Sequence, residues 1–576
     1  MSGSKISLKS CRWRSLRAAL LAGGLAFTTA VFFNVPAYGQ IDETDINDGQ
    51  NRRPGDSALP VGVEVSDLAK DVFSTGVLTP DRGGFQPEIW RDASGTDIAS
   101  ILLSLPTRPS SPAIGSLIER LLTSYAVKPL GAPSTIGGRK LVALAKLGYG
   151  EEVRTIASLA SSNENDTLVK EALVTVDLLD GKTDSACRRA DTVRAGRDAL
   201  FWVKLRVLCQ AAEEEYNSAD LTLSLLRERG ILDASEDTVL TAVSIPAPLK
   251  LPVAPKTALE YAALGQLQGV RDPSFLSSAD AGVIKSIVAD TSETPAARLA
   301  AAKQASVLGV LDGDALQAFF ASFEPLDDLL VEPSGGDPLA SLRAFQRIET
   351  LATPEFVRDR AQAIAIEILR APDYPTALAS SLIYDTSVQE LEGIIVDPST
   401  AGAFAVVAMV AGDAERAGNW LKEMGREGFD ALGEADRLRF LELVNLLSVL
   451  DRRQAEIVAA FGNTEISDPP ANSRGDAVNE EALATLAAAA VRAASLEGEG
   501  QGALVAAALA SPEFVGHPVA DRLSAATLSV SGLERLQRHH AFFLAWKASF
   551  PEDASGIASV PDGQEQGLSP SLKPGR

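Results

Sequence analysis

The chain has 576 residues, which is enough for several average domains or for one extended repeat array. It is 46% hydrophobic and 22% charged, and this composition excludes a chain that is disordered throughout. The net charge is −23, because 76 acidic residues stand against 53 basic ones. Such a balance excludes a duplex-binding protein, whose affinity depends on neutralising phosphates.

The first forty residues have the three parts of a secretory signal peptide. Basic residues come before a largely apolar run from Ala18 to Val35, and Ala37 and Gly39 then place small residues at −3 and −1. We predict cleavage between Gly39 and Gln40 and a periplasmic location, with no stable membrane span after cleavage. The alternative is an uncleaved anchor, since a run of 18 residues is at the lower limit for a span.

The rest of the chain divides by composition. Polar, proline-broken sequence predicts a flexible leader after the signal peptide, and the last residues, rich in Pro, Gly, Ser and Gln, predict a disordered tail. The predicted order is a signal peptide (1–39), a flexible leader (40–95), an N-terminal helical-repeat region (96–244), a proline-rich connector (245–256), a C-terminal helical-repeat region (257–550) and a disordered tail (551–576).

Between the leader and the tail, the pattern is helical. Apolar residues recur at i, i+3, i+4 and i+7 over 114–125, and at i, i+4, i+7 and i+11 over 357–368. Helix starts are indicated where a capping side chain precedes a proline, at Ser111, Thr294, Asp337, Thr353 and Ser511. We predict an all-α fold, an irregular α-solenoid of antiparallel helix pairs with disordered N- and C-terminal tails. The alternative is an irregular helical bundle.

Two stretches resemble the second helix of a tetratricopeptide-type repeat. They are 216–226, beginning Tyr-Asn-Ser-Ala, and 412–421, in which Ala417 precedes Trp420. The segment 186–230, which contains Asp-Ala-Leu-Phe-Trp-Val-Lys-Leu at 198–205 and Leu-Cys-Gln at 208–210, resembles exported alphaproteobacterial helical-repeat proteins of unknown activity. This resemblance implies helical hairpins and a periplasmic location, and it implies no activity.

Cys187 and Cys209 are the two cysteines that remain after cleavage. We expect them on consecutive helices joined by a turn near Gly196. At 1.5 Å per residue they lie about 14 Å and about 19 Å from the turn, which places them within about one helical turn of each other. We predict a disulfide between them, and the alternatives are two buried free thiols or a redox or metal role.

Familiar catalytic templates are missing from the sequence. There is no G-x-S-x-G elbow, and Val176 stands where a phosphate loop ending in Lys182 and Thr183 requires its first glycine. His539 and His540 diverge by about 100° on a helix and cannot chelate one ion, so we expect them on a basic surface strip. We therefore predict no catalytic residue, no metal and no cofactor.

These observations favour a periplasmic helical-repeat scaffold or protein-binding protein, for example an accessory to a cell-envelope machine. The expected partners are other periplasmic or envelope proteins, and no nucleic acid is expected. The alternative is a cell-wall hydrolase or lyase with an unrecognised carboxylate site. A cleft with two inward acids of strongly raised pKa would favour this enzyme.

Overall fold

The computed structural model describes residues 71–90, 94–160, 166–245, 252–267, 269, 271–327, 337–431 and eight positions between 539 and 550. All of them belong to the compact unit Asp67–Arg576, and the unit Met1–Ser66 lies outside the described residues. Within these ranges the chain forms twenty α-helices and three short 3-10 helices. Strand pairing there is limited to two isolated bridges, Leu78–Ser124 and Val253–Arg271. The all-α prediction is confirmed.

The helices fall on either side of the predicted connector. Those before it are α1 (Gly95–Ser104), α2 (Pro112–Thr123), α3 (Ile136–Lys146), α4 (Gly150–Leu159), α5 (Thr167–Leu179), α6 (Thr183–Asp191), α7 (Leu200–Ala212), α8 (Tyr216–Glu228) and α9 (Ala234–Ser244). Those after it are α10 (Ala258–Leu267), α11 (Phe275–Ser278), α12 (Ala281–Ala289), α13 (Pro295–Val307), α14 (Gly313–Ala321), α15 (Ala340–Thr350), α16 (Val357–Leu369), α17 (Tyr374–Ile383), α18 (Asp385–Glu390), α19 (Pro398–Val410) and α20 (Ala414–Ala431).

Capping side chains begin several helices where the sequence indicates. Ser111 accepts from Ile114 N at 3.4 Å, and Thr294 accepts from Ala297 N at 3.2 Å, each ahead of a proline at the first helical position. Asp337 does not cap a helix directly. Its carboxylate accepts from Leu339 N at 2.9 Å, and α15 begins one residue later.

Thr353 is a second departure from the predicted helix starts. Pro354 opens a 3-10 turn, Pro354–Phe356, and Thr353 makes no capping bond there. The α-helix starts only at Val357. Ala361, Ile364 and Ile368 of this helix are buried as predicted, and Val357 is half-buried. Ser511 lies outside the described residues.

The helices form two rows that run in opposite directions along the molecule. In the first row α3 packs on α5, α5 on α6, α6 on α7, and α7 on α8 and α9. After the connector the chain turns back, so that α10 packs on α5, α7 and α9, and α12 packs on α3 and α5. The array continues through α13, α17 and α16 to α19 and α20. One continuous apolar core runs through the whole array.

The end of the predicted flexible leader is packed, which corrects that prediction for residues 71–90. Phe73 and Trp90 are buried, and their rings meet edge to face at 6.0 Å between centroids. The buried Lys140 amine donates to the carbonyls of Phe73 at 3.0 Å and Thr75 at 2.7 Å, and burial lowers its pKa to about 7. The Lys140 side chain, which comes from α3, therefore holds this segment in place. The predicted tail, 551–576, lies outside the described residues.

Candidate functional site

Cys187 of α6 and Cys209 of α7 form a disulfide, as predicted. Their Cα atoms are 5.5 Å apart, and 22 positions separate them in the chain. Cys187 is buried and Cys209 is half-buried. Gly196 stands in the intervening loop with φ 68°, a left-handed conformation that glycine adopts without strain. The bond therefore closes one helical hairpin of the first row.

The predicted cleavage site, Gly39 and Gln40, lies outside the described residues. Cleavage there stays a prediction. In the part of the chain that the structure describes, no helix combines the length and apolar character that crossing a membrane requires.

Beside the disulfide hairpin, the buried Asp177 joins α4, α5 and α6. Its carboxylate accepts from Ser185 Oγ at 3.0 Å and from Arg189 Nε at 3.3 Å, and Arg154 lies 3.9 Å away. A depression of about 500 Å³ opens nearby, and it is lined by Gly181, Lys182, Thr183, Asp184, Ser185 and Arg188. Its charges are mixed in sign, and the polar network beside it is internally satisfied. The arrangement ties three helices together.

A second polar cluster lies where α13, α16 and α17 meet. Lys303 Nζ donates to Thr376 Oγ1 at 3.1 Å, and Ser380 donates to the Glu367 carboxylate. Thr376 and Ser380 of α17 and Tyr384, the residue after its end, are spaced by four and are buried, whereas Lys303 and Glu367 are half-buried. The cluster therefore places one amine and one carboxylate beside a row of buried hydroxyl groups.

Burial shifts the pKa values of both charged groups in this cluster. It raises the pKa of Glu367 to about 7, although the positive charges of Lys303 and Arg347 oppose the rise. It lowers the pKa of Lys303, against the opposing effect of Asp373 and Glu367. A carboxyl group that titrates near neutrality has the property required of a general acid or base.

Sequence reasoning did not find this cluster. The signal was present in the helix patterns, since Glu367 interrupts the apolar run Ala-Ile-Ala-Ile-Glu-Ile-Leu, and Thr376 and Ser380 share one face of an otherwise apolar helix. Polar residues at core positions are informative when they occur together. However, the three helices that meet here are brought together only by tertiary packing.

Other carboxyl groups of raised pKa lie on separate helices. Burial raises the pKa of Glu119, which accepts from Tyr149 Oη at 3.1 Å, and burial also raises the pKa of Glu171 and of Asp280. The charged side chains that act on the pKa of Glu367 are Lys303 and Arg347, and both are positive. Within the described ranges, no group of three or more His, Cys, Asp or Glu residues is arranged to hold a metal ion.

The adjacent histidines do not lie on a basic surface strip, and that prediction is wrong. His540 Nδ1 lies 2.7 Å from Ser111 Oγ, and His539 Nε2 lies 3.1 Å from the Val410 carbonyl. Each imidazole is partly buried against a different helix. The two rings diverge on their helix as expected, and this divergence is what allows them to reach α2 and α19 separately.

Comparison with protein-family models, with curated proteins and with solved structures found no match.

Proposed function

We propose that this protein is a periplasmic helical-repeat scaffold that binds other cell-envelope proteins. The observation that carries the proposal is the two-sided character of α8. One side of this helix buries Ala219, Leu223 and Leu226, while the opposite side exposes 65% of Leu221 and 52% of Leu225. A single exposed leucine is ordinary, but two at i and i+4 form one apolar surface on a helix.

The charges around this surface suggest the chemistry of its partner. Glu213, Glu214 and Glu215 are exposed immediately before α8, whereas at its other end the exposed Glu228 lies between the exposed Arg227 and Arg229. The chain as a whole carries a net charge of −23. Complementary charge speeds association and selects the partner. We therefore propose a partner segment that combines apolar side chains with basic residues at the end that meets the three glutamates.

The surrounding helices support a binding role because they hold α8 in place. α8 packs on α7 and α9, and the disulfide joins α7 to α6. A rigid surface loses little conformational entropy on association, and more of the contact energy then appears as affinity. The disulfide also supports the periplasmic location, since such bonds persist in oxidising compartments.

The proposal is tested by capture followed by direct measurement. The immobilised protein is exposed to periplasmic extract, the captured protein is purified, and its affinity is measured by calorimetry. Leu221→Lys with Leu225→Lys should weaken binding at least 10-fold. The matched control, Leu103→Lys with Leu130→Lys, alters two leucines that are 67% and 84% exposed elsewhere and should bind as wild type. Equal binding by both double variants would place the contact elsewhere and remove the observation on which the proposal rests.

A cell-wall hydrolase or lyase remains the second candidate, because the pKa of Glu367 is about 7. Its test is the release of soluble fragments from purified peptidoglycan by wild type and by Glu367→Gln. Under the scaffold proposal neither protein releases fragments. Release by wild type that Glu367→Gln abolishes, without loss of helical signal, would establish the enzyme instead.

A further inference from the structure

The C-terminal segment, residues 539–550, contacts helices from both ends of the described array. Its described residues are helical over 539–540, 542–544 and 546–547. His540 is bonded to the N-cap of α2, and His539 to the end of α19. Tyr374, the first residue of α17, meets the ring of Trp546 at 5.4 Å and that of Phe550 at 6.0 Å. The segment therefore joins α2 to the neighbouring helices α17 and α19, which are far from α2 in the chain.

Aromatic side chains provide the apolar part of this contact. Phe542, Phe543, Trp546 and Phe550 are all buried, and Phe542 is fully so. The chain as a whole is only 6% aromatic, so four aromatic residues within nine positions are a local concentration. Their burial supplies the main free energy of docking.

The His540 contact fits a neutral ring. Ser111 Oγ already accepts from Ile114 N, and its hydroxyl proton is free to bond to His540 Nδ1. Protonation of His540 at Nδ1 reverses that bond and leaves the serine proton without this acceptor. Val410 offers a carbonyl, which only accepts, so His539 Nε2 donates to it, and a protonated ring makes the same bond. The pH dependence of docking therefore rests on His540.

The charged groups around the segment have both signs. Arg108 and Lys547 are positive, and burial, together with the charge of His539, lowers the pKa of His540. On the supporting elements, Asp373 accepts from Thr376 N at 2.8 Å and Asp413 from Arg416 N at 3.0 Å. Across the described residues, no carboxylate bonds to either imidazole. Tyr374 also lies at the contact, and burial raises its pKa.

We propose that the C-terminal segment is an acid-released latch, which detaches from α2, α17 and α19 when His540 becomes protonated while the helical array stays folded. Burial lowers the pKa of His540 from an ordinary 6.5 to about 4, and it also lowers that of His539. Docking is therefore strongest above pH 6.5 and weakens as the pH falls toward 4. Protonation of His540 weakens docking on the order of 100-fold.

Hydrogen exchange followed by mass spectrometry tests the latch in the purified full chain. Exchange of peptides covering 539–550 is compared between pH 7.5 and pH 4.5 after correction for intrinsic rates, with peptides from α3 as the internal reference. We expect protection of 539–550 to fall at least 10-fold at pH 4.5, while protection of α3 is retained. Unchanged protection of 539–550, or simultaneous loss in both regions, overturns the proposal.

Two substitutions remove the titration and keep the hydrogen-bonding atoms. Asn at 540 places an amide where Nδ1 stood, and Gln at 539 places one where Nε2 stood. His539→Gln with His540→Asn should stay protected at pH 4.5, and His517→Gln, the matched control, should respond as wild type. Release of the double variant at the same pH overturns the proposal. If the double variant is already undocked at pH 7.5, the wild-type comparison with α3 decides.

Discussion

The α6–α7 hairpin and the C-terminal segment are held against the rest of the array in two different ways. The hairpin is closed by a covalent bond between residues 22 positions apart. The C-terminal segment is held by aromatic packing and by two imidazole bonds, one of which spans 429 positions. The covalent closure is indifferent to pH over the physiological range, whereas the His540 contact changes with the charge of its own atoms. We therefore expect the first contact to persist at acid pH and the second to open while the array stays folded.

The largest expected effect is on the aromatic contact. Phe542→Ala removes a fully buried ring and should weaken docking by about 3–5 kcal/mol, because the cavity left behind cannot be filled. Exchange protection of 539–550 at pH 7.5 measures this loss. Phe356→Ala, which changes a ring that is 43% exposed, is the control and should leave protection unchanged. Retained protection in Phe542→Ala would show that this ring is not needed for docking.

The disulfide should contribute slightly less free energy than the aromatic contact. Cys187→Ala with Cys209→Ala opens a loop of 22 residues and should lower the free energy of unfolding by roughly 3 kcal/mol, without abolishing folding. Urea unfolding followed by circular dichroism measures it, and protection of 539–550 should stay as in wild type. Thiol labelling of denatured, unreduced protein provides the check. Two reactive thiols per chain would contradict the disulfide.

A smaller effect is expected beside α17, which carries Tyr374 and so supports the C-terminal segment. Glu367 has an ordinary pKa of 4.5 and one of about 7 in the folded protein, so its ionisation costs stability progressively as the pH rises from 4.5 to 7. Glu367→Gln removes this cost and should stabilise the protein by about 1–2 kcal/mol at pH 8, after allowance for solvent screening, and little at pH 4. Urea unfolding at both pH values measures the difference. A variant less stable than wild type at pH 8 would show that the carboxylate is favourably paired.

The smallest effect concerns the end of α7 in the disulfide hairpin. Glu214 has φ 63°, a left-handed conformation that costs a side chain but not glycine. Glu214→Gly should therefore stabilise the protein by about 0.5–1 kcal/mol. Thermal unfolding compared with that of Glu213→Gly, the neighbouring control, measures it. An equal change in both variants would mean that removal of negative charge, rather than backbone strain, is responsible.

Features set by local physics could be predicted from the sequence, and features set by distant contacts could not. Helix type, the caps at Ser111 and Thr294 and the Cys187–Cys209 pair depend on residues within about twenty positions of each other. The packing of segment 71–90 depends instead on Lys140, and the position of His540 depends on its contact with Ser111. The Lys303–Glu367 cluster escaped prediction for the same reason, since each polar residue alone is consistent with a solvated helix face.

The reversal of the helical rows has a consequence for the order in which the protein acquires its structure. Most of α5 is buried, and part of its cover comes from α10, which begins 79 positions after α5 ends, and from α12. At synthesis rates of about 5–20 residues per second, the apolar face of α5 waits roughly 4–16 s for that cover. Contacts of such long range also slow folding, because loop closure precedes any gain from burial. The first row is thus an incomplete structure for several seconds, during which its uncovered face is open to aggregation or to a chaperone.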